Sequence, residues 1–195
     1  MQAQTQTRRY TPEEYLELEE HTDYKSEYHN GEIIPMTGGT TNHNKIAGNL
    51  YAFLKFALRG KGYEPYIGDV RLWIPRHTLY TYPDVMVIQG QPIYEGKGTT
   101  TVTNPLLITE VLSSSTRSYD QTDKFAYYRS IPSFQEYVLI DQSQFQVMHY
   151  CKLEDGKWLL TDYENDNAVL TFSSVEFEIS LNDLYEGVNF ADQEE

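Results

Sequence analysis

Asp84 and Glu110 each stand where a carboxylate is costly. Asp84 sits in Tyr82-Pro83-Asp84-Val85-Met86-Val87-Ile88, and Glu110 interrupts Leu106-Leu107-Ile108-Thr109-Glu110-Val111-Leu112. An ionised carboxylate among apolar neighbours must find a partner, take up a proton or bind a metal. Two carboxylates drawn together repel each other. A divalent cation removes that repulsion and can activate water for hydrolysis. If the two segments are adjacent strands, both side chains can converge at one end of a sheet. The structural alternative is that Asp84 caps the turn after Pro83 and Glu110 pairs with an arginine.

Other residues offer weaker chemistry. His43, between Asn42 and Asn44 near the start of a predicted helix, could meet a phosphate there, because backbone N–H groups at a helix N-terminus favour anions. It could equally be a partly buried capping residue. Ser113-Ser114-Ser115-Thr116 lacks a nucleophile-elbow pattern and an evident histidine base, which argues against a serine nucleophile. Tyr127 and Tyr128 could stack on bases, although aromatics at helical spacing are usually core.

The elements that must position these groups follow from periodicity and punctuation. Thr11-Pro12-Glu13-Glu14 predicts a capped helix to about residue 20. Asn30-Gly31 predicts a hairpin of residues 25–29 and 32–36, since both turn residues can take positive φ. Ile46, Leu50, Phe53, Leu54, Ala57 and Leu58 predict the longest helix, over 42–59, closed by Gly60. Strands are expected at 64–74 and 84–89. The apolar run 106–112 reads as a central strand covered on both faces. A helix over 118–130 ends at Ile131-Pro132. A meander follows at 135–141, 145–152 and 157–163, then short strands at 168–172 and 176–180 and a brief helix at 181–185. The expected class is α/β, a mixed sheet with flanking helices.

With 195 residues and 22.7 kDa, one domain spanning the chain is expected, with a core over about 10–185. The tails, 1–9 and 187–195, read as frayed or partly ordered. The 17 Tyr, 8 Phe and 2 Trp exclude a wholly disordered chain despite a mean hydropathy of -0.57. No run approaches the roughly 20 apolar residues of a membrane-spanning helix. A single cysteine, Cys151, excludes an internal disulfide framework and a cysteine-based zinc cluster. The first residues carry no apolar stretch of a secretory signal, so a cytoplasmic location is expected. The net charge of -14 argues against a general nucleic-acid coat protein. That charge is uneven: residues 42–130 hold 10 basic and 7 acidic groups, whereas the rest holds 5 basic and 22 acidic.

An ordered set of short stretches carries a resemblance: Tyr10-Thr11-Pro12-Glu13-Glu14-Tyr15, Tyr24-Lys25-Ser26-Glu27-Tyr28-His29-Asn30-Gly31-Glu32, Asn42-His43-Asn44, Tyr82-Pro83-Asp84-Val85, Glu110-Val111-Leu112-Ser113, Asp120 with Lys124 and Tyr128, and Glu136-Tyr137-Val138-Leu139. Together they resemble the Uma2 family of the PD-(D/E)xK nuclease superfamily. The resemblance implies a restriction-endonuclease-like mixed β-sheet core flanked by helices, ending in a C-terminal β-meander. It also implies hydrolysis of DNA phosphodiester bonds around a carboxylate-bound cation. The superfamily lysine is expected two residues after Glu110, where this chain has Leu112. The resemblance assigns that amine to Lys124, on the following helix, where it would orient water and offset phosphate charge. The bland reading of Lys124 is an exposed helix lysine paired with Asp120.

By the same resemblance Glu27 would join Asp84 and Glu110 as a metal ligand, with the Val111 carbonyl, around Mg²⁺ or Mn²⁺. Glu27 could otherwise be a solvent-facing hairpin carboxylate. Asp120 would brace Lys124 or cap its helix, and His43 and Asp120 are candidates for substrate contact. DNA and a second copy of the chain are the expected partners, with no membrane. Two alternatives stay open: a non-catalytic module of nuclease fold that binds DNA or a protein, and a metal-dependent phosphoesterase acting on a small nucleotide.

Overall fold

The computed structural model describes residues 8–191. Helix α1 (Pro12–Glu19) starts as a capping box: the Glu14 N–H donates to Thr11 Oγ1, and Glu14 Oε2 accepts from the Thr11 N–H. It leads into the hairpin β1 (Ser26–His29) and β2 (Glu32–Pro35). Asn30 and Gly31 take φ of 50° and 96°, so the turn matches the right-handed twist of its strands. Helix α2 (Thr41–Ala57) is capped by Thr40, whose side chain accepts from the His43 N–H, and buries Ile46, Ala47, Leu50 and Leu54 along one face.

The remaining strands are β3 (Tyr63–Ile67), β4 (Arg71–Ile74), β5 (Leu79–Thr81), β6 (Val85–Gln89), β7 (Thr101–Val102), β8 (Leu107–Leu112), β9 (Glu136–Asp141), β10 (Val147–Lys152), β11 (Trp158–Tyr163), β12 (Val169–Phe172) and β13 (Phe177–Ser180). A helical run over 117–128, called α3, joins β8 to β9, and α4 (Leu181–Leu184) follows β13. Two sheets result, β2-β1-β5-β4-β7 and β11-β10-β9-β8-β6-β3, with β12 and β13 as a separate hairpin. Among the described residues no helix is long and apolar enough to cross a membrane.

The single strand expected over 64–74 is in fact two strands in different sheets. Gly68 breaks it at φ 62°, and its N–H donates to the Asp84 carbonyl (3.0 Å). The β4–β5 hairpin therefore lies in one sheet, while β3 and β6 pair in the other. Asp84 falls at the crossing, just before β6.

Strand β8 is central and buried throughout, antiparallel to β6 and parallel to β9. One face of this sheet packs Val85, Val87, Leu107, Val111, Val138 and Ile140 against α2. The opposite face packs Met86, Ile88, Ile108, Leu112 and Leu139 with Tyr128, Leu72 and Ile74. By strand alternation Glu110 belongs to this second face, between the two sheets. The expected meander is present as β9-β10-β11.

Part of the tail expected to fray is docked. The Asn189 N–H donates to Asn42 Oδ1, Asn42 donates back to the Asn189 carbonyl, and Phe190 packs on Phe145 and Tyr185. At the other end, Arg9 donates to the Asn30 carbonyl. Residues 1–7 and 192–195 of those tails lie outside the described residues.

Glu136 ties the C-terminal hairpin to the main sheet. Its carboxylate accepts from the backbone N–H groups of Ser173 (2.6 Å) and Ser174 (2.9 Å) and meets His149 Nε2 at 2.9 Å. Burial alone would raise its pKa, but His149 and these serines hold it below the usual carboxylate range. Glu136→Ala would leave those groups buried and unmatched, at about 1–3 kcal/mol for each unsatisfied group. The expected result is about 3 kcal/mol lost in urea denaturation. A cost of a few tenths would show that water replaces the carboxylate.

Candidate active site

Asp84 and Glu110 do meet. The register places Val85 opposite Thr109, so the residue before β6 faces Glu110. The Asp84 N–H donates to Glu110 Oε2 (3.2 Å), and the Val111 N–H donates to Asp84 Oδ2 (2.7 Å). Val111 thus enters the site through its amide.

Lys124 is the other arm of the site. Residues 120–124 form a π-helical turn inside α3, a distortion found often at functional positions. This turn sends Lys124 inward. Its Nζ lies 3.2 Å from Glu110 Oε1, 3.2 Å from Asp120 Oδ1 and 3.4 Å from Glu27 Oε1. The residue is buried, which overturns the reading of an exposed helix lysine. Asp120 is buried as well and lies within α3 rather than at its start, so it braces Lys124 instead of capping the helix.

Glu27 is also buried, not a solvent-facing hairpin carboxylate. Its Oε1 accepts from Thr81 Oγ1 and pairs with Lys124. Among the described residues, no group of three or more His, Cys, Asp or Glu side chains is arranged to hold a metal ion.

Three contacts escaped the sequence reading. Tyr128 is core, but its hydroxyl donates to Glu110 Oε1 at 2.6 Å. Thr81 orients Glu27 from β5, and a lone threonine carries no signal of that. His43, expected to cap its helix or meet phosphate, places Nε2 3.1 Å from Asp84 Oδ2, while Thr40 does the capping. Tyr127 packs against His29 and His77, with ring centroids 5.0 and 4.7 Å away.

The cluster is short of positive charge. Glu27, Asp84, Glu110 and Asp120 face one ammonium and one imidazole. Burial, with repulsion from Asp84 and Asp120, outweighs Lys124 and pushes the Glu110 pKa up to about 8. Burial opposes charge on His43, yet the hydrogen bond to Asp84 and the nearby carboxylates raise its pKa above the ordinary imidazole value. Burial likewise opposes charge on Lys124, but Glu110, Glu27 and Asp120 hold its pKa well above the usual value. The donors of Asp84 and Glu110 are hard oxygens, which suit Mg²⁺ or Mn²⁺. Asp84 is 22% exposed, and among the described residues no hydrogen bond reaches its Oδ1. These two residues fit a divalent cation, and Glu27 lies across Lys124 from Glu110, each carboxylate paired with the same ammonium.

Residues 12–182 match the Uma2 family, described as a putative restriction endonuclease. The chain belongs to the Uma2 family. An uncharacterized protein of Synechocystis, sll1609, is 46% identical over 163 residues, covering 84% of this chain and 92% of that one. A second from the same organism, slr1290, is 34% identical over 180 residues, covering 92% and 93%. The fold is shared with the crystal structure of a putative nuclease belonging to DUF820 from Anabaena variabilis. The TM-score is 0.74 at 20% identity, covering 91% of this chain and 98% of that one. The Uma2 assignment and this neighbour agree with the restriction-endonuclease-like α/β architecture expected from the sequence.

Proposed function

We propose that this Uma2 protein hydrolyses DNA phosphodiester bonds with the help of a divalent cation. The observation that carries the reading is the convergence of Asp84, Glu110 and Lys124 in a buried site with excess negative charge. Asp84 and Glu110, with the Val111 carbonyl, would hold Mg²⁺ or Mn²⁺, and the cation would supply Lewis-acid stabilisation of charge on the phosphate. Lys124 orients the attacking water and offsets charge on the phosphate oxygens. Asp120 and Glu27 fix the lysine in place, and Tyr128 and the Asp84 N–H fix the Glu110 carboxylate. His43 holds Asp84 from the α2 side.

Plasmid cleavage with Mg²⁺ or Mn²⁺, beside an Asp84→Asn control, tests this. Replacing a direct ligand is expected to cost at least the 10–100-fold typical of losing an outer-shell partner. Equal cleavage by both proteins, or none by the wild type on supercoiled, linear and single-stranded DNA, would remove hydrolysis. A non-catalytic module would instead bind DNA equally well with Asp84 and Glu110 replaced.

A further inference from the structure

Away from the carboxylates, one acid-free segment is longer than any other in the chain. From Ile33 to Tyr63 there is no aspartate or glutamate, while Lys45, Lys55, Arg59 and Lys61 all fall there, in a protein of net charge -14. Most of this segment is α2. Its last turns, together with the start of β3, border a groove of about 570 Å³. Tyr51, Lys55, Phe56, Arg59, Tyr63 and Glu64 are among its lining residues.

Two features make this groove more than a solvated surface. Phe56 is 83% exposed, which leaves a large apolar ring facing water beside the groove. Lys55 and Arg59 are also exposed, and among the described residues neither takes part in an ion pair. The helix macrodipole accounts for a cation in the last turn. It does not account for an aromatic ring set between two uncommitted cations. An exposed π-face between cations is the arrangement that holds a nucleic-acid strand, with phosphates on the cations and a base stacked on the ring.

A second copy of this chain fits the groove less well. In a two-fold contact the same patch meets itself, so Lys55 and Arg59 would face their own equivalents. Strand β3 is a sheet edge, but Pro65 within it removes a backbone donor and weakens it as a template for strand pairing.

We infer that the α2–β3 groove binds a single-stranded segment of nucleic acid, with Lys55 and Arg59 contacting phosphates and Phe56 stacking on a base. The inference deepens the proposed nuclease reading and rests on it for its biological sense, although it is tested by binding alone. Phe56 lies 13 positions after His43, roughly 20 Å along the helix axis at 1.5 Å per residue. The groove therefore holds a strand at a distance from the Asp84 centre rather than at the scissile bond.

The test is fluorescence anisotropy with a labelled single-stranded thymine oligonucleotide, in EDTA so that no cleavage occurs. The proteins compared are wild type, Phe56→Ala and the double variant Lys55→Gln, Arg59→Gln. All three side chains are exposed, so thermal melting should change little. Phe56→Ala is expected to weaken binding on the order of ten-fold with little change in salt dependence. The double variant is expected to weaken it at least as much, and to flatten the log–log salt slope by about 1.4, or roughly 0.7 per lost contact. Wild-type affinity and slope in both variants would overturn the inference, as would a wild type that binds no oligonucleotide at low salt. Gel filtration showing that the variants lose a dimer while oligonucleotide binding holds would make the groove a protein interface and overturn it too. Cleavage is read separately. Groove-dependent binding without cleavage keeps this inference and removes hydrolysis; cleavage with groove-independent binding does the reverse.

Discussion

Lys124→Met is expected to lower stability by about 3–5 kcal/mol and to abolish cleavage. The ammonium is the shared counter-charge of Glu27, Glu110 and Asp120, all within 3.4 Å and all buried. Taking it away leaves Glu27 and Asp120, and Glu110 wherever it is ionised, buried with only neutral donors and no counter-charge, and breaking a buried pair by removing one member costs about that much. An exposed lysine paired with Asp120 would be worth only a few tenths of a kcal/mol. Urea denaturation distinguishes the two outcomes directly. If Lys124→Met proves too unstable to purify, the double variant Lys124→Met, Glu110→Gln supplies the check. Neutralising Glu110 relieves part of the repulsion, so the double variant should be more stable than Lys124→Met alone. A double variant less stable than the single would show that the lysine's cost lies in packing rather than charge. The loss of cleavage has to be measured under conditions where the variant is still folded.

The parts of this site legible in the sequence are those where a local rule was broken. A carboxylate in an apolar strand is visible because the pattern excludes it, and two such residues on neighbouring strands can be paired before any coordinates exist. The Asn30-Gly31 turn is equally visible, because few residues accept the φ values found there. What could not be read are relations between distant segments. The apolar character of 64–74 continues across Gly68, so nothing in its periodicity announces that the chain changes sheets there. The burial of Lys124 depends on Glu27 from the first hairpin and on a π-turn that leaves no periodic trace. The docking of residues 187–191 depends on Asn42, far away in sequence. Family resemblance pointed to Lys124 and Glu27 as residues. Geometry then added the pairing of Glu27 with that lysine, which no local pattern carries.

In EDTA, stability is expected to fall as pH rises from about 5 to about 8, and Glu110→Gln is expected to remove most of that fall. Burial first, then repulsion from Asp84 and Asp120, raises the folded-state pKa of Glu110 from 4.5 to about 8. A carboxylate with a raised folded pKa holds its proton more tightly in the native state. Its contribution is therefore fully present below the unfolded value and is lost as pH passes through the folded one. Each pKa unit is worth about 1.4 kcal/mol, so the swing amounts to several kcal/mol. His43, whose folded pKa is also raised, adds a fall of the same sign. Glu136 and Asp141 have lowered values, so their contributions are lost only as pH falls into the acid range, outside this window. Three donors oppose the protonation of Glu110, namely the Asp84 N–H, the Tyr128 hydroxyl and Lys124. The experiment therefore decides whether burial and repulsion outweigh them. Urea midpoints across the pH range, for wild type and Glu110→Gln, give the answer; a flat wild-type curve would mean the donors win and Glu110 is ionised throughout. Repeating the series in Mg²⁺ extends the argument to the ligand, because a cation on Asp84 and Glu110 compensates the charge that ionisation creates. The alkaline fall should then shrink in the wild type while the Glu110→Gln curve stays where it was.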